Sequence, residues 1–89
     1  VLVACSTRSV SPRRWSEDIS RADAVLNVEH IAGRAPLLGP LVTIARIPDG
    51  VHDLTLSGTA ARERFFAEVR RWTRAYVGPG MRELPDRLP

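Results

Sequence analysis

The sequence predicts an α/β fold with element order β-α-β-α and two parallel strands. Three observations carry that expectation. Val1-Leu2-Val3-Ala4-Cys5 is apolar at every position, the pattern of a strand covered on both faces by helices in a parallel sheet. Leu41 to Ile47 is a second strand-like run, rich in Val, Ile and Thr. A short stretch of helical periodicity separates the two runs, and a long amphipathic one follows them. Strand, short helix and strand make a right-handed crossover, which brings the carboxyl ends of both strands to one edge of the sheet.

Composition bounds what such a fold can be. Eighty-nine residues, 44% hydrophobic and 26% charged, describe a globular chain with a modest core. So few strands in a covered sheet lead us to expect the later portion of a larger domain. No apolar run reaches the ~20 residues that span a bilayer, and no signal sequence opens the chain, so a cytoplasmic location and no membrane span are expected. The net charge of +3 and the pI of about 10.4 invite a nucleic-acid reading. All 13 basic residues are Arg, however, and Lys and Gln are both absent. That bias reflects codon composition more than a phosphate-binding face, so no nucleic-acid partner is expected. Cys5 is the single cysteine; it cannot form an internal disulfide and reads as a small buried hydrophobe. With no His-Cys cluster, neither a metal site nor a cofactor is expected.

The elements follow in order. After the first strand, Ser6 to Arg21 is a long polar excursion, of a length often found at functional sites, with Trp15 expected to pin it to the body. A helix is expected over Val28 to Ala35, capped by Asn27. Its inner face is Val28, Ile31, Ala32 and Ala35, and His30 points to solvent. Pro36 is expected to stop it and Gly39-Pro40 to turn the chain. The second strand nears solvent at Arg46 and ends in the turn Ile47-Pro48-Asp49-Gly50-Val51-His52. Ser57 or Thr59 should cap a helix over Ala60 to Val77. Its apolar stripe is Phe65, Val69, Trp72 and Tyr76, opposite Glu63 and an arginine face of Arg64, Arg70, Arg71 and Arg74. Gly78-Pro79 stops that helix. Residues 1–77 are thus one unit, and 78–89 read as a flexible tail.

Two side chains stand out for chemistry. His52 lies just past the carboxyl end of the second strand, where α/β proteins place acid-base groups. Asp23 lies in the loop after the first strand, so the parallel topology directs it to the same edge. A carboxylate accepting from one imidazole nitrogen fixes the ring's tautomer and stabilises the imidazolium. Asp23 read alone is equally a helix-flanking acid favoured by the nearby dipole; Asp18 and Glu17 remain alternative acids.

The stretches Val1 to Cys5, Ala22-Asp23-Ala24-Val25-Leu26-Asn27-Val28, Val42 to Ile47 and Asp49-Gly50-Val51-His52-Asp53-Leu54, with the final helix, resemble the C-terminal part of an α/β-hydrolase. The branch most similar is the serine aminopeptidase, lysophospholipase and monoacylglycerol-lipase-like one. The resemblance implies that Asp23 and His52 are the acid and base of a Ser-Asp-His triad, in the chain order of that fold. It also implies a small acyl-ester or lipid-like substrate. Two departures are visible. About seventeen residues separate the first strand from Asp23, where the family's acid follows its strand closely. No Gly-x-Ser-x-Gly elbow is present in the 89 residues, so the nucleophile would lie upstream and this segment alone would be inactive. The alternative is a small arginine-rich nucleic-acid-binding module, or a catalytically silent interaction module.

Overall fold

The computed structural model describes residues 1–78; the expected tail at 78–89 lies, except for Gly78, outside the described residues. Strand β1 (Leu2–Ser6) and strand β2 (Thr43–Ile47) pair in parallel. The register runs from Leu2 opposite Thr43 to Ser6 opposite Ile47, so both strands end level with each other. Helices α1 (Val28–Arg34) and α2 (Thr59–Tyr76) complete the order β1-α1-β2-α2. Short 3-10 helices occupy Glu17–Arg21, Ala35–Leu38 and Leu54–Leu56.

Side-chain alternation along the strands assigns a helix to each face. On one face, Ala45 and Ile47 of β2 form the core with Leu54 and Ala61, packed by Leu2, Ala4 and Phe65. That face carries α2. On the other, Arg46 reaches Glu29 of α1 at 2.5 Å and the carbonyl of Thr7 at 3.2 Å, closing α1 over the sheet near buried Cys5 and Val28. The expected α/β class and the parallel pairing are both present. Desolvation pushes the Cys5 thiol pKa up, Asp23 and Glu29 add to the shift, and Arg46 opposes it.

Several local expectations need correction. Pro36 does not end the helical path: Ala35 keeps right-handed backbone angles and Pro36 sits in the first turn of the 3-10 helix. A first turn needs no donor from that position, so proline is tolerated there. Neither Ser57 nor Thr59 caps α2. Gly58 holds the N-cap position and has no side chain to cap with, while the Ser57 hydroxyl accepts from the Val51 amide at 3.0 Å. The inner face of α2 also differs: Ala61 and Phe66 are its buried residues, while Tyr76 is exposed and stacks on Trp72 with ring centroids 5.4 Å apart. An 18-residue helix is about 27 Å long, whereas a five-residue strand is about 17 Å. About two turns of α2 therefore extend beyond the length of a strand. Its stop is as expected: Gly78 takes a left-handed φ of 88° and its amide closes on the Thr73 carbonyl at 3.2 Å. Trp15 does not pin the excursion to the body, since it is 85% exposed.

Candidate active site

The turn that carries His52 is built tightly. The Gly50 amide donates to the Ile47 carbonyl at 3.1 Å, with Pro48 and Asp49 at the turn's centre. Asp49 has a φ of 60°, a left-handed conformation that aspartate tolerates better than most side chains. Gly50 is required by space: a Cβ there would sit 2.7 Å from Leu54 Cδ2 and 3.1 Å from the Ile47 carbonyl. Buried Ile47 and Leu54 thereby fix both ends of the turn. The Ser57–Val51 bond then ties the residue before His52 to the approach to α2.

The acid arrives by a different route. After β1 the chain runs out through the excursion and returns to form a parallel bridge between Ser9 and Asp23. The Asp23 amide donates to the Arg8 carbonyl, and its carbonyl accepts from the Val10 amide, both at 3.0 Å. The Ser9 hydroxyl braces the next stretch, donating to the Leu26 carbonyl at 2.7 Å and accepting from the Val28 amide at 2.9 Å. Asn27 accepts from Glu29 as the N-cap of α1, as its position predicts. The backbone of Asp23 itself is thus held on both its amide and its carbonyl.

Asp23 and His52 meet across 29 positions of sequence: Asp23 Oδ2 lies 3.0 Å from His52 Nδ1. The carboxylate is only 2% exposed, and its other oxygen accepts from the Val25 amide at 2.7 Å and the Leu26 amide at 2.8 Å. Burial alone would raise its pKa. The Leu26 amide, the His52 ring and the Val25 amide together outweigh burial and hold the carboxyl below its usual range. An ionised carboxylate only accepts, so Nδ1 of His52 carries the proton and Nε2 is left as the ring's acceptor. The imidazole side chain is 45% exposed, so the ring is held on one side and open on the other.

The alternative acids are engaged elsewhere. Asp18 pairs with Arg8 at 3.0 Å and Arg21 at 3.7 Å, and Glu17 is exposed in the first turn of its 3-10 helix. His30 is exposed on α1, as expected. Two hollows of about 450 Å³ are lined by neighbouring segments of the chain. One lies between Arg21, Pro48 and the first turn of α2, the other between Ser9, Val10 and Val25 to Val28. His52 lines neither. Among the described residues no group of His, Cys, Asp and Glu is arranged to hold a metal ion, and no helix is long and apolar enough to cross a membrane. Ser9 and Ser57 brace the two halves of the site; Ser9 carried no sequence signal beyond being a loop serine, and the signal at Ser57 was that of a helix cap.

No family model, curated protein or solved structure matches this chain.

Proposed function

We propose that this chain is the C-terminal segment of a serine-dependent α/β-hydrolase acting on small acyl or lipid-like esters, with Asp23 and His52 as the acid and base of its triad. The observation that carries the reading is the 3.0 Å contact between a buried, hydrogen-bonded carboxylate and a half-exposed imidazole at the carboxyl edge of two parallel strands. Two further features support it. The resemblance implies the order serine, acid, histidine, and Asp23 precedes His52. The backbone groups of Leu2 and Ala4 also face away from β2, because Val1 and Thr7 bond towards it and the alternation is strict. That leaves β1 an edge on which an earlier strand would pair, and two strands alone make an unusually small parallel sheet.

In this mechanism Nε2 of His52 takes the proton of the serine hydroxyl as its oxygen bonds to the acyl carbon. The imidazolium so formed stays hydrogen-bonded to Asp23. It then returns the proton to the departing alkoxide as the ester C–O bond breaks, leaving an acyl-enzyme. A water molecule repeats the exchange, giving up its proton to Nε2 while attacking the acyl carbon, and the serine oxygen leaves with that proton. Asp23 changes no bonds; it orients the ring and stabilises its cationic form.

The test is a fluorophosphonate probe on the full-length product of the open reading frame that contains this segment. The probe should label one serine upstream of Val1, and His52→Ala should abolish both labelling and p-nitrophenyl ester hydrolysis. An upstream sequence without a serine elbow, or a His52→Ala protein that keeps its esterase activity, would overturn the reading.

A further inference from the structure

The loop that delivers Asp23 carries an exposed surface that the hydrolytic chemistry does not use. Trp15 is 85% exposed, although tryptophan is among the side chains most buried on average. Arg13 and Arg14 precede it directly, and neither guanidinium has an ion-pair partner among the described residues. By contrast, Arg8 and Arg21 of the same loop are held by Asp18. Over residues 7–22 four arginines face two acids. Aliphatic side chains are bared at the same carboxyl edge: Val25 and Leu26, whose amides hold the Asp23 carboxylate, and Leu56, four residues after His52.

From this juxtaposition we infer that the Arg13-Arg14-Trp15 tip, with Val25, Leu26 and Leu56, is a docking surface for an anionic lipid bilayer. Tryptophan partitions to the boundary between headgroups and acyl chains, where its ring is buried and its N–H stays wet. Arginines beside it meet the negative surface of such a bilayer. Aliphatic side chains at the same edge enter the acyl boundary. A nucleic acid fits this surface less well, because base stacking needs a run of aromatic platforms and Trp15 is the one aromatic in the loop. Trp72 and Tyr76 pack on each other at the far end of α2, and Phe65 and Phe66 on each other within it. Docking here places the His52 edge of the sheet towards the bilayer. That orientation deepens the proposed ester chemistry, and it rests on that reading only for the identity of the substrate.

The experiment is co-sedimentation of the full-length product of the open reading frame that contains this segment with large unilamellar vesicles, either pure phosphatidylcholine or about three parts phosphatidylcholine to one part phosphatidylglycerol. Binding should require the anionic lipid and weaken as salt rises. Arg13→Gln and Arg14→Gln should each reduce affinity by about fivefold. Trp15→Ala should reduce it by tenfold or more, with its fold verified by circular dichroism. With every other tryptophan of that protein, Trp72 included, replaced by Phe, the Trp15 emission should shift to the blue on adding anionic vesicles. Arg71→Gln with Arg74→Gln, on the outer face of α2, should leave binding unchanged. The proposal is overturned if anionic vesicles are not bound, if Trp15→Ala binds as well as the parent, if the α2 variant loses the binding instead, or if a single-stranded oligonucleotide binds and vesicles do not. The assay involves no turnover, so a full-length protein that binds lipid but hydrolyses nothing would refute the ester chemistry alone.

Discussion

Replacing Asp23 by Asn keeps the shape of the side chain and removes its charge, which makes the role of that charge measurable. In the parent chain one carboxylate oxygen accepts from the Val25 and Leu26 amides and the other faces His52 Nδ1. In Asp23→Asn the amide oxygen can still accept from both backbone N–H groups, but as a neutral acceptor. Bonds to a charged partner contribute about 1.5–3 kcal/mol and neutral ones about 1 kcal/mol. With two amides involved and the site almost fully buried, the expected loss is about 1–3 kcal/mol at pH 7. The pH dependence has a definite sign. The Asp23 carboxyl titrates below its usual range in the folded chain, so its stabilisation is complete above the unfolded value of about 3.9 and is lost as pH falls through the folded value. Urea unfolding should show a gap between parent and variant at pH 7 that closes as pH falls through the lowered titration of the folded carboxyl. The same variant presents an NH2 group to His52, where two donors would collide unless the ring moves its proton from Nδ1 to Nε2. Side-chain ¹⁵N spectra should show that change of tautomer, and a His30→Gln background leaves a single imidazole to observe. Equal stability at pH 7, a gap independent of pH, or an unchanged tautomer would refute the reasoning.

Three further outcomes follow from the same geometry. Gly50→Ala places a methyl against Leu54 and the Ile47 carbonyl and should destabilise the chain by about 1–3 kcal/mol, read as a lower urea midpoint with the slope unchanged. Ser57→Ala removes the acceptor of the Val51 amide; a loss of about 1–2 kcal/mol and faster hydrogen exchange at Val51 are expected. Because its pKa is raised and it is almost fully buried, Cys5 should react with a disulfide reagent far more slowly in the folded chain than in urea, the two rates converging only as the fold is lost.

What could be read in the sequence was what short-range chemistry decides. The apolar runs of the two strands, the Asn27 cap and the glycine stop at Gly78 depend on neighbours within a few positions, and the structure contains all of them. The pairing of Asp23 with His52 was also within reach, because parallel topology sends the loops after both strands to one edge wherever those loops wander. What could not be read depended on competition or on the extent of a surface. Ser57 had two amides to choose between, one at the start of α2 and one at Val51, and residue type does not rank them. The stripe from Phe65 to Tyr76 is a property of α2 alone, while which part of it is buried depends on how far the sheet extends beneath. Trp15 would have packed had the body offered it a surface.

The distance between β1 and Asp23 counted as a departure only while measured along the chain. The bridge between Ser9 and Asp23 shortens it: in space the acid stands beside the residues that directly follow the strand, and residues 10–22 form a side loop whose two ends are joined. Closing a longer loop of this kind is inexpensive, since each doubling of length adds only about 0.6 kcal/mol of closure entropy. The bonds to Arg8 and Val10, with the Ser9 brace, offset that cost locally. The loop is therefore free to differ in content without moving the carboxylate, provided its ends stay joined. This is why one excursion can hold a rigid acid at its base and bare a tryptophan at its tip. It also divides the two roles by group: the Asp23–His52 pair depends on the Ser9 hydroxyl and on the backbone amides of Val25 and Leu26, whereas lipid docking uses the side chains of Val25 and Leu26 with Arg13, Arg14 and Trp15, and no described hydrogen bond or ion pair joins Arg13, Arg14 or Trp15 to the pair.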